Sequence, residues 1–265
     1  MLCSAILTRS LLDDPILNRR YFFPRPARFP NPLWVEAADA QLACSFHPAD
    51  GSDLTVVHFH GNGEVVRDWI DEGFPERFAA LDASLLLAEY RGYGMSTGEP
   101  SLGRMLDDVE AVIRAADQPP ERLVLFGRSV GSIFAIHAAS RFPEAAGLIL
   151  ESAIADPLER FLLRVDPAEV GLTLEQFTEE VQVRLDHRKK MGAYRGPVLV
   201  LHALFDDLVP VTHGERLAKW AGGEATIRLF EQGDHNTILA QNEGPYFEAI
   251  ARFLARVRRP RPAAP

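Results

Sequence analysis

Leu123-Val124-Leu125-Phe126-Gly127-Arg128-Ser129-Val130-Gly131-Ser132-Ile133-Phe134-Ala135-Ile136-His137-Ala138-Ala139 joins an apolar run to a helical run through one short turn. Leu123–Phe126 has no polar member, as a strand covered on both faces requires. From Ser132 onward, small and apolar residues continue without Gly or Pro and predict a helix. The turn between them, Gly127-Arg128-Ser129-Val130-Gly131, reads G-x-S-x-G. Alone, that pattern arises by chance in roughly one chain in twenty at average residue usage. Between a buried strand and a helix it has a mechanism. A sharp, strained turn lifts the Ser129 hydroxyl above the sheet edge, and the glycines let strand and helix approach more closely than Cβ atoms permit. Ser129 is therefore the candidate nucleophile.

The same alternation extends both ways along the chain. Apolar, β-rich runs at Thr55–His60, Ser84–Tyr90, Gly147–Glu151, Val198–Leu201 and Thr226–Phe230 alternate with stretches of helical period near Glu64–Leu81, Ser101–Ala116, Thr212–Ala221 and Tyr246–Val257. This predicts an α/β fold with a mostly parallel central sheet flanked by helices. Two earlier runs, Trp34–Ala38 and Gln41–Phe46, turn at Asp39-Ala40 and predict an antiparallel edge. Four prolines between Tyr21 and Pro32 mark residues 1–32 as an irregular lead-in. The domain is placed at 33–258, with a frayed tail at 259–265. One connection, between Glu151 and Pro197, is far longer than usual. Leu174, Phe177, Val181 and Leu185 within it fall at helical spacing behind a Thr173–Gln176 capping box. Residues 154–195 are accordingly expected to form a small helical cap.

Composition bounds the function. The chain has 265 residues, enough for one large domain. Its 28 Lys and Arg against 37 Asp and Glu give a formal net charge of −9. That argues against a nucleic-acid partner, which demands clustered cations. Cys3 and Cys44 are too few for a disulfide framework or a metal site, which suits a cytoplasmic protein. No run is long and apolar enough for an integral membrane segment. The apolar Leu2–Leu12 stretch leaves a peripheral membrane contact open. Oligomeric state has no signature here.

A serine hydroxyl needs a base. Of the eight histidines, His47, His187 and His213 lie in polar, surface-like segments. His137 falls inside the helix behind the turn, and His202 reads as structural. His58 and His60 alternate on one strand without a third metal ligand, so no metal is expected. His235, in Gly233-Asp234-His235-Asn236 just after the last strand, is placed to swing over Ser129 and is the candidate base. An acid must then hold its other nitrogen. Asp206, with Asp207 facing solvent, follows the strand Val198–Leu201. Glu151 and Asp156 are the rivals, and the order Ser129…Asp206…His235 favours Asp206. For the oxyanion, Val130 N–H supplies one donor, and the loop His60-Gly61-Asn62-Gly63 the other, Asn62 first and Gly61 second.

The His60–Gly63 loop, Glu89-Tyr90-Arg91-Gly92-Tyr93-Gly94-Met95-Ser96-Thr97-Gly98, the G-x-S-x-G turn, the His202…Asp206-Asp207-Leu208-Val209-Pro210 run and Gly233-Asp234-His235-Asn236 together resemble the α/β-hydrolase superfamily. More narrowly, these motifs are similar to the branch with an E-Y-R-G-Y-G-x-S-x-G loop. That branch includes membrane-anchored depalmitoylating thioesterases and uncharacterised bacterial hydrolases. The resemblance implies that Ser129, Asp206 and His235 form a triad, and that Glu89–Gly98 is a structural wall beside the site. The anchor of the depalmitoylating members is expected to have no counterpart, and Ala203 stands where the family usually has glycine.

The expected chemistry is hydrolysis of a small-molecule ester or thioester, or an amide, through an acyl-enzyme, with no cofactor. The same groups would also serve an acyltransferase or a perhydrolase. A non-catalytic interaction protein on this scaffold is the third reading. Phe161, Leu162, Leu163, Phe177 and Val181 could line an apolar acyl pocket, with Phe161 and Phe177 the candidate substrate contacts. They could equally pack the cap onto the domain.

Overall fold

The computed structural model describes residues 10–258, so Cys3, the 259–265 tail and the first part of the Leu2–Leu12 stretch lie outside the described residues, while Leu11 and Leu12 at its end are buried in the core. Its strands are β1 (Leu33–Ala37), β2 (Ala40–His47), β3 (Leu54–Phe59), β4 (Ala83–Ala88), β5 (Leu123–Arg128), β6 (Gly147–Glu151), β7 (Val198–Ala203) and β8 (Ala225–Phe230). They form one sheet in the order β1-β2-β4-β3-β5-β6-β7-β8. β2 pairs antiparallel with β1 and β4, and every later pairing is parallel. Sheet residues divide by alternation between two cores. Leu123, Leu125, Leu148 and Leu150 enter one, and Val124, Phe126 and Ile149 enter the other. Burial on both faces favours apolar residues on each, hence the runs Leu123–Phe126 and Gly147–Leu150.

The helices are α1 (Pro15–Tyr21), α2 (Val66–Asp71), α3 (Phe74–Ala79), α4 (Leu102–Ala115), α5 (Gly131–Arg141), α6 (Pro157–Leu162), α7 (Leu174–Leu185), α8 (His187–Ala193), α9 (Val211–Trp220) and α10 (Ile238–Val257). Three expectations need correction. The lead-in is not wholly irregular: Asp14 accepts from Ile16 N–H (2.7 Å) and Pro15 opens α1, a start signal that the later prolines obscured. The single helix expected over Glu64–Leu81 is two, broken where Gly73 takes φ +73°. The last helix starts at Ile238, not near Tyr246. Pro245 lies inside it and Asn242 leaves helical geometry (φ −133°), with its side-chain amide donating to Gln232 C=O (2.9 Å) and Ile238 C=O (2.8 Å). Among the described residues, no helix is long and apolar enough to cross a membrane.

The Glu89–Gly98 loop is held by charge. Arg91, 2% exposed, donates twice to Asp108 (2.7 Å each) and once to Asp39 (2.7 Å). Arg91→Met would leave Asp108 buried without its partner, so a loss of about 3–5 kcal/mol is expected. A urea midpoint close to that of the unaltered chain would contradict this.

Between β6 and β7, α6 meets α1 through Phe161 and Tyr21, α7 reaches α4, and α8 packs on α5 and α9. Arg20 pairs with Glu169, and Arg184 donates to Gly103 C=O (3.0 Å) and Asp107 (2.5 Å). The Thr173–Gln176 capping box is formed reciprocally, at 3.2 and 2.9 Å. His187 and His213 are buried, against the surface placement expected for them. His187 Nδ1–H donates to Ile154 C=O (2.9 Å), and burial pushes its pKa down to about 3. Between pH 6.5 and about 3 the unfolded chain therefore binds a proton there that the native state refuses, and stability falls as pH drops through that window. From pH 7 to pH 5 this one group should cost about 2 kcal/mol. His137, pushed to about 3, and His213, to about 4, act in the same direction. Chemical unfolding at the two pH values should show the loss, and His187→Gln should shrink it.

Candidate active site

The turn after β5 is as strained as its glycines suggest. Ser129 sits at φ +51°, in the left-handed region that costs a residue with a Cβ about 1–2 kcal/mol. A Cβ on Gly131 would lie 2.0 Å from Phe59 C=O, and one on Gly127 2.6 Å from Gly131 C=O. The turn is pinned from below: Ser129 N–H donates to Glu151 C=O (2.8 Å), and Ser132 Oγ donates to Ser129 C=O (2.5 Å).

Two loops from distant sequence converge on it. Asp234 shapes the first, its Oδ1 accepting from Asn236 N–H (2.9 Å), Thr237 N–H (3.0 Å) and Thr237 Oγ (2.8 Å). The buried His235 that follows has Nε2 2.8 Å from Ser129 Oγ. Its Nδ1 lies 2.8 and 3.0 Å from the two Asp206 oxygens. With the proton on Nδ1, His235 donates to Asp206 and leaves Nε2 to accept from Ser129 O–H.

Asp206 is itself organised by the turn after β7. Its Oδ1 accepts from Leu208 N–H (3.1 Å) and Val209 N–H (2.7 Å), and His202 Nε2 is 3.4 Å from Oδ2. Burial works to raise its pKa, but the hydrogen bonds from His202 and His235 outweigh it and hold the carboxyl well below the usual range. Asp207 is exposed. The rival acids are occupied elsewhere. Glu151 takes Arg128 Nε (3.2 Å) and Tyr246 O–H (2.6 Å), and Asp156 caps α6.

Ser129, Val130, Asn62 and His235 line one cavity of about 160 Å³, together with Tyr21, Phe23, Ile154, Leu208 and Val209. Gly61 N–H donates to the Glu64 carboxylate (2.7 Å), which removes it from consideration as an oxyanion donor. Among the described residues, neither Val130 N–H nor Asn62 N–H is given to a protein acceptor. The Asn62 side chain fixes its own loop: Oδ1 accepts from Phe23 N–H (3.0 Å) and Tyr93 O–H (3.0 Å), and its amide donates to Tyr21 C=O. A larger hollow of about 490 Å³ lies on the other side of Arg128, edged by Glu64, Glu72 and Glu243. It holds no nucleophile, so volume is the weaker guide, and the chemistry belongs to the smaller cavity.

Phe161 and Phe177 are not in it. Both are wholly buried, with Phe161 edge-on to Tyr21 at 4.7 Å. They pack the helical segment onto the domain, and the apolar wall comes instead from residues around the chain, Tyr21 and Phe23 among them. Sequence reading also passed over Arg128, the first variable residue of the G-x-S-x-G turn. Buried, it pairs with Glu64 and Glu151 and donates to His235 C=O (2.8 Å). It thereby ties the elbow to the base loop and, through Glu64, to the Gly61 loop. A charged residue at that position, followed by the small core-facing residues of a helix, was the available signal.

Comparison with known proteins bears on the family and the fold. The model of the family described as serine aminopeptidase, S33 matches residues 51–186. An uncharacterised protein, YfhR, of Escherichia coli O157:H7 is 28% identical over 83% of this chain and 76% of its own length. The alpha/beta hydrolase domain-containing protein 17C of Xenopus tropicalis is 26% identical over 84% of this chain and 68% of its own. Among solved structures, the ferulic-acid-bound esterase Est1E of Butyrivibrio proteoclasticus superposes with TM-score 0.70 at 17% identity, over 84% of this chain and 98% of that one. That likeness concerns the fold.

Proposed function

The chain belongs to the α/β-hydrolase superfamily, in the family described as serine aminopeptidase, S33, and from that premise we propose that it hydrolyses a carboxylic ester or thioester through a Ser129 acyl-enzyme. The observation that carries this reading is the unbroken chain Ser129 Oγ–His235–Asp206, at 2.8 Å and 2.8–3.0 Å, opening onto a cavity. Ser129 attacks the acyl carbonyl while His235 Nε2 takes its proton. Val130 N–H and Asn62 N–H receive the oxyanion, and His235 returns the proton to the leaving oxygen or sulfur. Water, deprotonated by the same nitrogen, then releases the acid. Asp206 holds the imidazole in the needed tautomer and stabilises its cation.

Ester or thioester is preferred over an aminopeptidase substrate because of charge. An α-ammonium group calls for carboxylates beside it, and the described lining of the Ser129 cavity has none. The test pairs a fluorophosphonate probe with p-nitrophenyl esters of increasing chain length and L-leucine p-nitroanilide. Labelling and ester turnover are expected, with the anilide far slower. A chain that cleaves only the anilide would reverse the preference, and one that neither labels nor turns over any of them would remove the reading.

A further inference from the structure

The cavity is cationic in a chain that is strongly acidic. Three arginines, Arg128, Arg160 and Arg164, share it with the nucleophile, and no described Asp or Glu does. Arg128 is neutralised by Glu64 and Glu151. The other two are not. Arg160 makes no hydrogen bond or ion pair among the described residues and feels Glu159 only as a minor electrostatic neighbour. Arg164 donates one bond, to Arg20 C=O (3.3 Å), and lies over the rings of Phe23 (5.2 Å) and Tyr21 (5.9 Å). Nearby carboxylates are already engaged. Glu159 takes both terminal nitrogens of Arg216 (2.7 and 2.9 Å), Glu169 pairs with Arg20, and Asp156 and Asp166 cap helical turns.

Arg160, in α6, and Arg164, in the turn just after it, are like charges on one cavity wall and repel. A chain with 37 acidic residues had partners to offer and placed none here. Arg164 is held by aromatic faces, which orients a guanidinium without satisfying its charge. Both face solvent, Arg164 exposed and Arg160 partly so, and are open to an anion. We propose that the substrate carries a carboxylate or phosphate, which Arg160 and Arg164 hold at the mouth of the Ser129 cavity. This rests on the Ser129 hydrolase reading and narrows its substrate class. The acidic hollow beyond Arg128 would attract a cation instead, so the two sides of Arg128 make opposite predictions.

The experiment compares selectivity, not activity alone. Mono-p-nitrophenyl adipate and p-nitrophenyl hexanoate share an acyl length and differ by a terminal carboxylate. Hexanoyl-coenzyme A and hexanoyl-N-acetylcysteamine share an acyl group and differ by phosphates on the leaving side. For at least one pair, the charged member should have the higher kcat/KM at low salt. In Arg160→Gln and in the Arg160→Gln/Arg164→Gln double variant that preference should fall, at least tenfold in the double, chiefly through KM. The double lysine variant should retain most of it, and added salt should weaken it. The responding pair tells whether the anion sits on the acyl or the leaving side. If Ser129-dependent turnover of the neutral esters is found with a ratio that the double glutamine variant does not move, the charge assignment fails and the hydrolase reading stands. Preference for L-leucine p-nitroanilide over every charged ester would overturn it as well. No fluorophosphonate labelling and no turnover of any substrate would sink both.

Discussion

Replacing Ser129 with alanine is expected to lower kcat for p-nitrophenyl esters by about 10⁴–10⁶-fold and to abolish fluorophosphonate labelling. In the proposed reaction the Oγ bonds to the acyl carbon, and among the described residues it alone is hydrogen-bonded to His235 Nε2, at 2.8 Å. What survives should be the slow attack of water on a carbonyl still polarised by Val130 and Asn62. Nucleophile and base act on one proton, so His235→Ala should be about as damaging, and the double variant hardly worse than either single one. Multiplying losses would mean that the two side chains work independently. A Ser129→Ala protein that kept more than about a hundredth of the original kcat, a far smaller loss than that of a true nucleophile, would place the nucleophile elsewhere.

Asp206→Asn is expected to reduce kcat by about 10⁴-fold while leaving the fold in place. An asparagine Oδ1 can still accept from Leu208 N–H and Val209 N–H, the bonds that shape the turn. Its amide nitrogen, however, would donate towards His235 Nδ1 and force the imidazole proton onto Nε2. That nitrogen then faces Ser129 with a hydrogen where a lone pair is needed. The substitution also removes a titration. The native Asp206 pKa lies well below its unfolded value, so its contribution to stability is present above about pH 4 and drains away as pH falls towards the folded value. Kinetics and acid unfolding of one variant thus read two consequences of one carboxylate. Near-normal kcat with asparagine at 206 would return attention to Glu151, 3.2 Å from Arg128 and hydrogen-bonded to Tyr246.

Much of the sheet and of the candidate site was legible in the chain because local chemistry demanded it. A strand apolar on both faces has no other reading than a covered one. Gly127 and Gly131 are forced by approaches of 2.6 and 2.0 Å that no side chain survives. Asp206 and His235 were accessible through chain order, since each follows a strand of the same parallel sheet and such strands end on one edge. The start of α1 was less visible. Asp14 and Pro15 are ordinary start signals, but the prolines just beyond carried a stronger, opposite message.

Other features had no local signature at all. Phe161 and Phe177 are apolar residues at helical spacing, and spacing does not say whether a face turns to a pocket or to a neighbouring helix; Tyr21, packed against Phe161 at 4.7 Å, decided that. Arg128, Arg160 and Arg164 look alike as letters. One is neutralised by carboxylates far away in sequence, and the other two have no ion-pair partner among the described residues and line the cavity beside the nucleophile. Backbone strain, close packing and strand burial act over a few residues and are written into them. Charge compensation and cavity walls depend on which distant segments meet, and only the folded chain brings those together.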